Sequence, residues 1–190
     1  MAFGILSTRV TWGLKMTCRK SLAAGFTIVE AMVTIAILGI LTAIAAPSMT
    51  ALIASNRLSS SANETLSAMM LARSEALRTA RQVVVCKSSD SSSCSASASW
   101  ADGWIVFVDD DASGARNGAE VVLRAGGPAK GVSVSGEAGV ESSVTYTSRG
   151  SLTVAGGAPK IVFGISGQKQ RELQFTPTGR VSVVVGGTYP

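Results

Sequence analysis

The sequence predicts an α+β fold, in which a long N-terminal helix packs on a C-terminal antiparallel β domain. Two changes of pattern along the chain predict it. Apolar residues form a nearly unbroken run over residues 26–46 and then recur every three or four positions up to about residue 81. After residue 81 the apolar positions alternate with a period of two, and turn residues separate the segments. Helix and strands are therefore segregated along the chain, as in the α+β class.

The first half of the helix is predicted to span a membrane. Residues 26–46 carry one charge, Glu30, and as a helix they are about 31 Å long, enough to cross a hydrocarbon core. The residues before this segment are basic and include no acid, so we expect the N-terminus in the cytoplasm and the rest of the chain across the membrane: Arg9, Lys15, Arg19 and Lys20. A signal peptide cleaved near Ala43–Ala46 is the alternative, but a carboxylate early in the apolar run argues against it.

The second half of the helix, residues 47–81, is predicted to be amphipathic. Its apolar residues recur at three and four positions with polar and charged residues between them, so one stripe should lie on the β domain. Gly39 and Pro47 are the expected points of a kink or local unwinding. The Met and Leu residues of the stripe are interpreted as core packing.

Residues 82–190 are predicted to form eight strands separated by turns. Two stretches, 144–154 and 173–183, resemble each other, and each is interpreted as a hairpin with a glycine where φ must be positive, at Gly150 and Gly179. The strands are expected near these positions: 82–87, 103–108, 120–124, 132–135, 143–147, 160–165, 172–176 and 181–185.

Composition narrows the possible functions. The chain has 190 residues, of which 46% are apolar and none is histidine, so one domain with a core is expected without Ser-His, Cys-His or His-zinc chemistry. The composition therefore argues against an ordinary hydrolase. We expect no cofactor, and an enzyme is the least favoured class of function. The net charge of +5 comes from the N-terminus, because 13 of the 17 Lys and Arg lie after residue 25, against 12 acids. An electrostatic argument for nucleic acid from the whole chain fails.

The residues around the start of the apolar run carry a resemblance to a known family. Ala24-Gly25-Phe26-Thr27-Ile28-Val29-Glu30, followed by the apolar run and Pro47, resembles the class III signal of type IV pilins and pseudopilins. The resemblance implies that a prepilin peptidase removes residues 1–25, cutting between Gly25 and Phe26, and that Phe26 is N-methylated. Met16 is an alternative start that would give a shorter leader.

Glu30 has two interpretations. As part of a capping box that begins at Thr27, its carboxylate would satisfy free N–H groups and complement the dipole of the first turn. The resemblance implies instead that Glu30 pairs with the charged N-terminal amine of a neighbouring subunit during docking into a filament, which removes most of the cost of burying a lone carboxylate. The two roles are compatible before and after assembly.

Three motifs in order along the chain make it similar to the GspH/FimT-like minor pseudopilins. They are Ala72-Arg-Ser-Glu-Ala76, the segment from Trp100 through Trp104 to Asp109, and Phe175-Thr-Pro-Thr-Gly-Arg180. Trp100 and Trp104 are interpreted as anchors that pack the sheet against the helix. The resemblance implies a structural subunit at the tip or initiation complex of the type II secretion pseudopilus. It would lie in the bacterial inner membrane, with other pseudopilins, the assembly platform and membrane lipid as partners.

A minor pilin of type IV pili that binds DNA is the alternative function that the resemblance leaves open. Five basic residues and one acid lie after residue 141, and the candidate contacts to DNA are Lys169, Arg171 and Arg180. The DNA-binding members carry a Gly-Arg-x-Arg pattern, which Gly179-Arg180 begins, but Ser182 stands where the second arginine should be. DNA is therefore the weaker of the two partner predictions.

The cysteines predict one disulfide. Cys18 leaves with the leader, so Cys86 and Cys94 remain as an even pair in an oxidising compartment. Their bond would close a small loop around the Ser-rich residues 87–93.

An acidic turn matches the spacing of a calcium loop. Asp109, Asp111, Ser113 and Glu120 occupy the first, third, fifth and last positions of a twelve-residue loop. Because the loop lies between predicted strands instead of helices, we interpret it as an exposed, solvated turn. We expect no metal there and keep calcium as the alternative.

Overall fold

The computed structural model describes residues 25–154 and 157–190. The predicted leader up to Ala24, including Met16 and Cys18, lies outside the described residues. The chain divides into two compact units, Met1–Ala43 and Ile44–Pro190, and each is described by itself.

Helix α1 (Ile28–Thr79) contains residues of both units. At its start, the N–H of Glu30 donates to Thr27 Oγ1 at 3.2 Å, which satisfies one of the free donors of the first turn. At its end, Ala80 has a φ of 54°, a left-handed conformation that stops the helix before the first strand. The helix is therefore about two residues shorter at each end than the pattern predicts.

In the first unit, the described side chains of α1 are exposed, including the large apolar ones: Met32, Ile35, Leu38 and Leu41. The helix is long and apolar enough at this end to cross a membrane. The helix continues without interruption through Gly39 and Pro47. A bend at either position stays a prediction.

In the second unit, α1 buries one stripe of side chains against the sheets. The buried positions are spaced by three and four, as an amphipathic helix requires: Leu58, Ala62, Thr65, Met69, Ala72 and Ala76. The opposite stripe is exposed and consists mostly of small polar side chains: Asn56, Ser60, Asn63 and Ser67. The predicted amphipathic half is therefore present.

Within residues 25–154 and 157–190, eight strands form two four-stranded sheets, in which all pairs are antiparallel. The first sheet has the order β3-β2-β1-β5 and the second has the order β4-β6-β7-β8. The strands are β1 (Gln82–Lys87), β2 (Trp104–Asp109), β3 (Val122–Gly126), β4 (Ser133–Glu137), β5 (Ser143–Tyr146), β6 (Lys160–Gly164), β7 (Lys169–Phe175) and β8 (Val181–Thr188).

The first sheet is covered on both faces. Val83 and Val85 of β1 belong to the main core with α1, whereas Val84 and Cys86 point to a second cluster on the opposite face. Burial on both faces explains the unbroken apolar run of this strand. Cys94, in the segment 88–96 between β1 and β2, packs against this second cluster.

The predicted strands are all present, with shifts at their ends. The largest is in β7, which begins at Lys169 instead of residue 172, and β8 continues to Thr188. The two similar stretches have the predicted positive φ at Gly150 (71°) and Gly179 (79°). The second stretch forms the β7–β8 hairpin, whereas the first ends in an isolated bridge between Tyr146 and Leu152.

Candidate functional site

The N-terminal segment presents the residues that the sequence assigns to processing and assembly. Gly25 and Phe26 are exposed, with 82% of Phe26 accessible. Thr27 caps the helix, but no described residue donates a hydrogen bond or supplies a cation to the Glu30 carboxylate. The reciprocal half of the capping box is thus absent among the described residues, and the carboxylate is free for an external partner.

Arg73 joins two turns that are remote from each other in sequence. Its Nε donates to the main-chain oxygen of Gly150 at 3.1 Å, and its Nη2 donates to that of Thr178 at 3.0 Å. The turns touch directly, because a Cβ added to Gly179 would lie 1.9 Å from Gly150 O. The helix motif at 72–76 and the C-terminal motif at 175–180 therefore meet at one place, and the contact is structural.

This contact was not predictable from the motifs of the sequence. The signal that could have found it is a lone arginine between Ala72 and Ala76, which both belong to the buried stripe of α1. Tyr146 lies in the same region: its hydroxyl is buried without a hydrogen-bond partner among the described residues. Burial raises the pKa of the Tyr146 phenol, against the opposing positive charge of Arg73.

Trp100 and Trp104 are packing anchors, as the sequence predicts. Both are 4% exposed, and Trp100 Nε1 donates to Val140 O at 3.0 Å. The Arg124 guanidinium lies 5.6 Å from the centroid of the Trp104 ring, within the range of a cation–π contact. Arg124 Nη1 also donates to Ser67 Oγ at 3.3 Å, so the same side chain ties β3 to the helix.

The predicted disulfide between Cys86 and Cys94 is confirmed, with the sulfur atoms 2.05 Å apart and the Cα atoms 5.6 Å apart. Inside the loop, Asp90 accepts the N–H groups of Ser92 and Ser93 at 2.9 and 2.8 Å and the Ser93 hydroxyl at 2.6 Å. These bonds, led by that of the Ser93 hydroxyl, hold the pKa of Asp90 well below its usual range. The Ser-rich loop therefore has an ordered turn of its own.

The acidic turn matches its prediction as an exposed, solvated segment only in part. Asp110, Asp111 and Ser113 are exposed, whereas Asp109 is 2% and Glu120 is 5% exposed. The structure brings the carboxylates of Asp109, Asp111 and Glu120 together, because one oxygen of each lies within 4.8 Å of the others. The prediction therefore holds at the tip of the turn and fails at its base, where the chain folds around Asp109 and Glu120.

Hydrogen bonds from the chain itself satisfy these carboxylates. Asp109 accepts from the N–H of Ser113, the N–H of Gly114 and the side chain of Gln82 at 2.8–3.0 Å. Glu120 accepts from the N–H groups of Asp110 and Asn117 at 2.9 and 3.0 Å. The fourth candidate, Ser113, donates its hydroxyl to Ala115 O. Hard oxygen donors would suit calcium, but this arrangement is explained by a loop that folds around its own carboxylates.

The three candidate DNA contacts do not form one cluster. Lys169 and Arg180 lie at opposite ends of the β7–β8 hairpin, separated by a strand about 20 Å long. Arg171 is half-buried, and its guanidinium donates to the main-chain oxygen of Lys169 at 3.1 Å. Arg180 follows Gly179 in a turn that contacts Gly150 and accepts a hydrogen bond from Arg73 at Thr178 O.

Comparisons with known proteins agree with this fold. Residues 61–187 match the family model described as type II transport protein GspH, and residues 20–46 match the prokaryotic N-terminal methylation motif. The structure is similar to the type IV minor pilin FimU of Pseudomonas aeruginosa, with TM-score 0.51 and 23% identity over 68% of this chain and 90% of that one. It is also similar to the minor pseudopilin EpsH of Vibrio cholerae, with TM-score 0.44 and 14% identity over 68% and 97%. No curated protein matches by sequence.

Proposed function

The chain belongs to the GspH family of type II transport proteins, and on that premise we propose that it is a structural subunit of the tip or initiation complex of a type II secretion pseudopilus. The observation that carries the proposal is the union in one chain of an N-terminal methylation motif at residues 20–46 and a GspH domain at 61–187. A minor pseudopilin of this kind acts through packing and docking, so the proposal contains no catalytic step.

The exposed apolar helix serves the subunit in two environments. Before assembly it is a single-pass anchor in the bacterial inner membrane, with the N-terminus in the cytoplasm and the β domain in the periplasm. After assembly the same apolar side chains pack in the filament core against other minor and major pseudopilins. The disulfide at Cys86 and Cys94 suits the oxidising periplasm.

Processing precedes assembly in this proposal. A prepilin peptidase cuts between Gly25 and Phe26 and the new N-terminus is methylated, which requires both residues to be accessible, as they are. Mass spectrometry of the protein extracted from membranes should find an N-terminus at a methylated Phe26. An intact leader, or a start just after Ala46, would contradict the proposal.

Glu30 then guides docking onto the assembly platform and its growing filament. In an apolar surrounding a lone carboxylate is costly by several kcal/mol, and a cation removes most of that cost. The N-terminal amine of a neighbouring subunit is the expected cation, because no described residue of this chain supplies one to Glu30.

The test compares two substitutions on the same helix. Glu30→Ala should leave the subunit folded and in the membrane but reduce its crosslinking to co-expressed pseudopilins. Glu64→Ala is the matched control, because Glu64 is an exposed glutamate of α1 outside the apolar run, and it should crosslink normally. Normal crosslinking of the Glu30→Ala variant would refute the pairing role. An equal loss in both variants would show that the effect is not specific to the docking carboxylate.

A further inference from the structure

The sheet edges differ in how well they are protected against pairing with another chain. Three of the four edge strands have four or five residues, and two of them carry a charge, Arg124 in β3 and Glu137 in β4. The fourth, β8 (Val181–Thr188), has eight residues with no charge and no proline. Charges, prolines and short length are the usual protection of edge strands. Strand β8 has none of these three, and the register shift in its pairing with β7 lies at its far end, between Lys169 and Arg171. Val184 and Val185 are exposed on it, by 39% and 56%.

The hydrogen bonds of the hairpin show which groups of β8 face outward. Thr176 N donates to Arg180 O at 2.9 Å, so these two residues form a hydrogen-bonded pair. Because hydrogen-bonded and non-hydrogen-bonded pairs alternate along antiparallel strands, the next pair, Phe175 and Val181, is not hydrogen-bonded. In agreement, Phe175 N donates to Pro159 O at 3.0 Å, on the side away from β8. The main-chain groups of Ser182 and Val184 thus face β7. Those at positions 181, 183 and 185 face outward along the free edge.

The edge is also held in place at its far end. Tyr189 N donates to Gln168 O at 2.8 Å, and Gly167 N donates to Tyr189 O at 3.1 Å. The Tyr189 ring lies against Gly164 so closely that an added Cβ would be 2.1 Å from it. A strand fixed at both ends loses little conformational freedom when it pairs, which favours binding.

Charge identifies the chemistry of the strand that would pair. Arg180 precedes β8, and Lys169 lies opposite Thr188 at the other end, so an uncharged edge has cationic ends. If a second copy of the chain paired through its own β8, cations would lie beside cations. Antiparallel pairing would bring Arg180 of one copy near Lys169 of the other, and parallel pairing would bring identical residues together. The charges instead complement a segment with acidic ends.

We propose that the outer edge of β8 binds an extended segment of another polypeptide, which has β-branched residues in its middle and acidic residues at its ends. The added strand bonds to the outward groups at 181, 183 and 185, and its side chains pack beside Val184 and Val185. The proposal goes beyond the docking role of Glu30 and holds whichever filament contains the subunit.

The test measures amide hydrogen exchange in the full chain in detergent micelles. The probe is a short synthetic peptide that alternates threonine and valine and carries a glutamate at each end. Exchange at 181, 183 and 185 should slow by about tenfold or more when the peptide is in excess, because each amide gains a partner, whereas Ser182 and Val184, already bonded to β7, should not change. Uniform slowing, or none, would overturn the proposal.

Controls on both molecules separate edge pairing from other binding. Val185→Pro removes one outward N–H and should weaken peptide binding by about fivefold or more, whereas Val185→Thr keeps that donor and should bind normally. A peptide whose main-chain nitrogens are methylated along the edge that would face β8 gives the same test without altering the protein. It should not bind to β8 through that edge. Equal binding of a lysine-ended peptide, or a concentration-dependent dimer of the chain without peptide, would refute the acidic partner.

Discussion

Gly179→Ala tests the contact between the two turns that Arg73 joins. Gly179 has a φ of +79°, and an added Cβ would lie 1.9 Å from Gly150 O and 3.3 Å from Arg73 Nε. The first distance is much shorter than the van der Waals contact distance of the two atoms, and a main-chain oxygen cannot rotate away as a side chain could. The turns must therefore separate, and their separation breaks the hydrogen bonds that Arg73 donates to Gly150 and Thr178.

The expected magnitude follows from these two terms. A positive φ costs alanine about 1–2 kcal/mol. The part-buried hydrogen bond to Gly150 contributes about 1.5–3 kcal/mol because its donor is charged, whereas the exposed bond to Thr178 contributes little because water competes for it. Gly179→Ala should therefore lower the free energy of unfolding by about 3–5 kcal/mol. Gly167→Ala is the matched control: its φ is +76°, but no atom lies within 4 Å of the added Cβ, so only the cost of φ remains.

Thermal unfolding of the mature chain in detergent, followed by the fluorescence of the buried Trp100 and Trp104, measures both variants. For a chain of this size each kcal/mol lowers Tm by about 2–4 °C. The Tm should thus fall by about 6–20 °C for Gly179→Ala and by about 2–8 °C for Gly167→Ala. Equal decreases would refute the reasoning, because they would show that the turns separate at no cost.

Replacing Cys86 and Cys94 together by serine should lower the free energy of unfolding by about 2–3 kcal/mol, because the bond closes a short loop; an unchanged urea midpoint would contradict this. The side chains of Gln174 and Gln170 and the charge of Lys160 lower the pKa of Glu172 from 4.5. Its contribution to stability is complete above pH 4.5 and is lost as pH falls through the lowered pKa. As pH falls below 4.5, the free energy of unfolding should therefore decrease less for Glu172→Gln than for the wild type. Parallel curves of the two proteins in acid titrations would exclude this role. Near 150 mM salt, DNA should bind weakly or not at all in an anisotropy titration, since the basic residues are dispersed and screened beyond about 8 Å. Sub-micromolar binding that is lost on Arg180→Ala with Lys169→Ala would support the DNA alternative.

Local patterns were sufficient for the secondary structure. The buried stripe of α1 has the spacing of three and four that the sequence shows, and the valine run of β1 is buried on both faces. The disulfide was predictable because Cys18 lies in the predicted leader, so that two cysteines remain in the rest of the chain. The ends of the strands were less predictable, because polar residues such as Lys169 and Gln170 join β7 through main-chain pairing, which their side chains do not reveal.

Contacts across the fold were not predictable in the same way. Arg73 reaches carbonyl groups 77 and 105 positions further along the chain, and no local pattern relates such distant residues. The base of the acidic turn was misjudged for a similar reason. Its spacing fits a calcium loop and its composition fits a solvated one, but Asp109 and Glu120 are buried. Their burial depends on hydrogen bonds to main-chain groups and to Gln82, which neither spacing nor composition reveals.

The two proposed contacts with other chains differ in what they contribute to assembly. In the proposed membrane and filament, the Glu30 carboxylate would face apolar surroundings, where pairing with a cation would avoid a cost of several kcal/mol. The outward groups of β8 face water when free, so each added hydrogen bond exchanges one partner for another and gains only about 1 kcal/mol. Glu30 is therefore expected to drive docking, and it would accept any subunit with a free N-terminal amine. The β8 edge, with its register and its cationic ends, supplies the choice among such subunits.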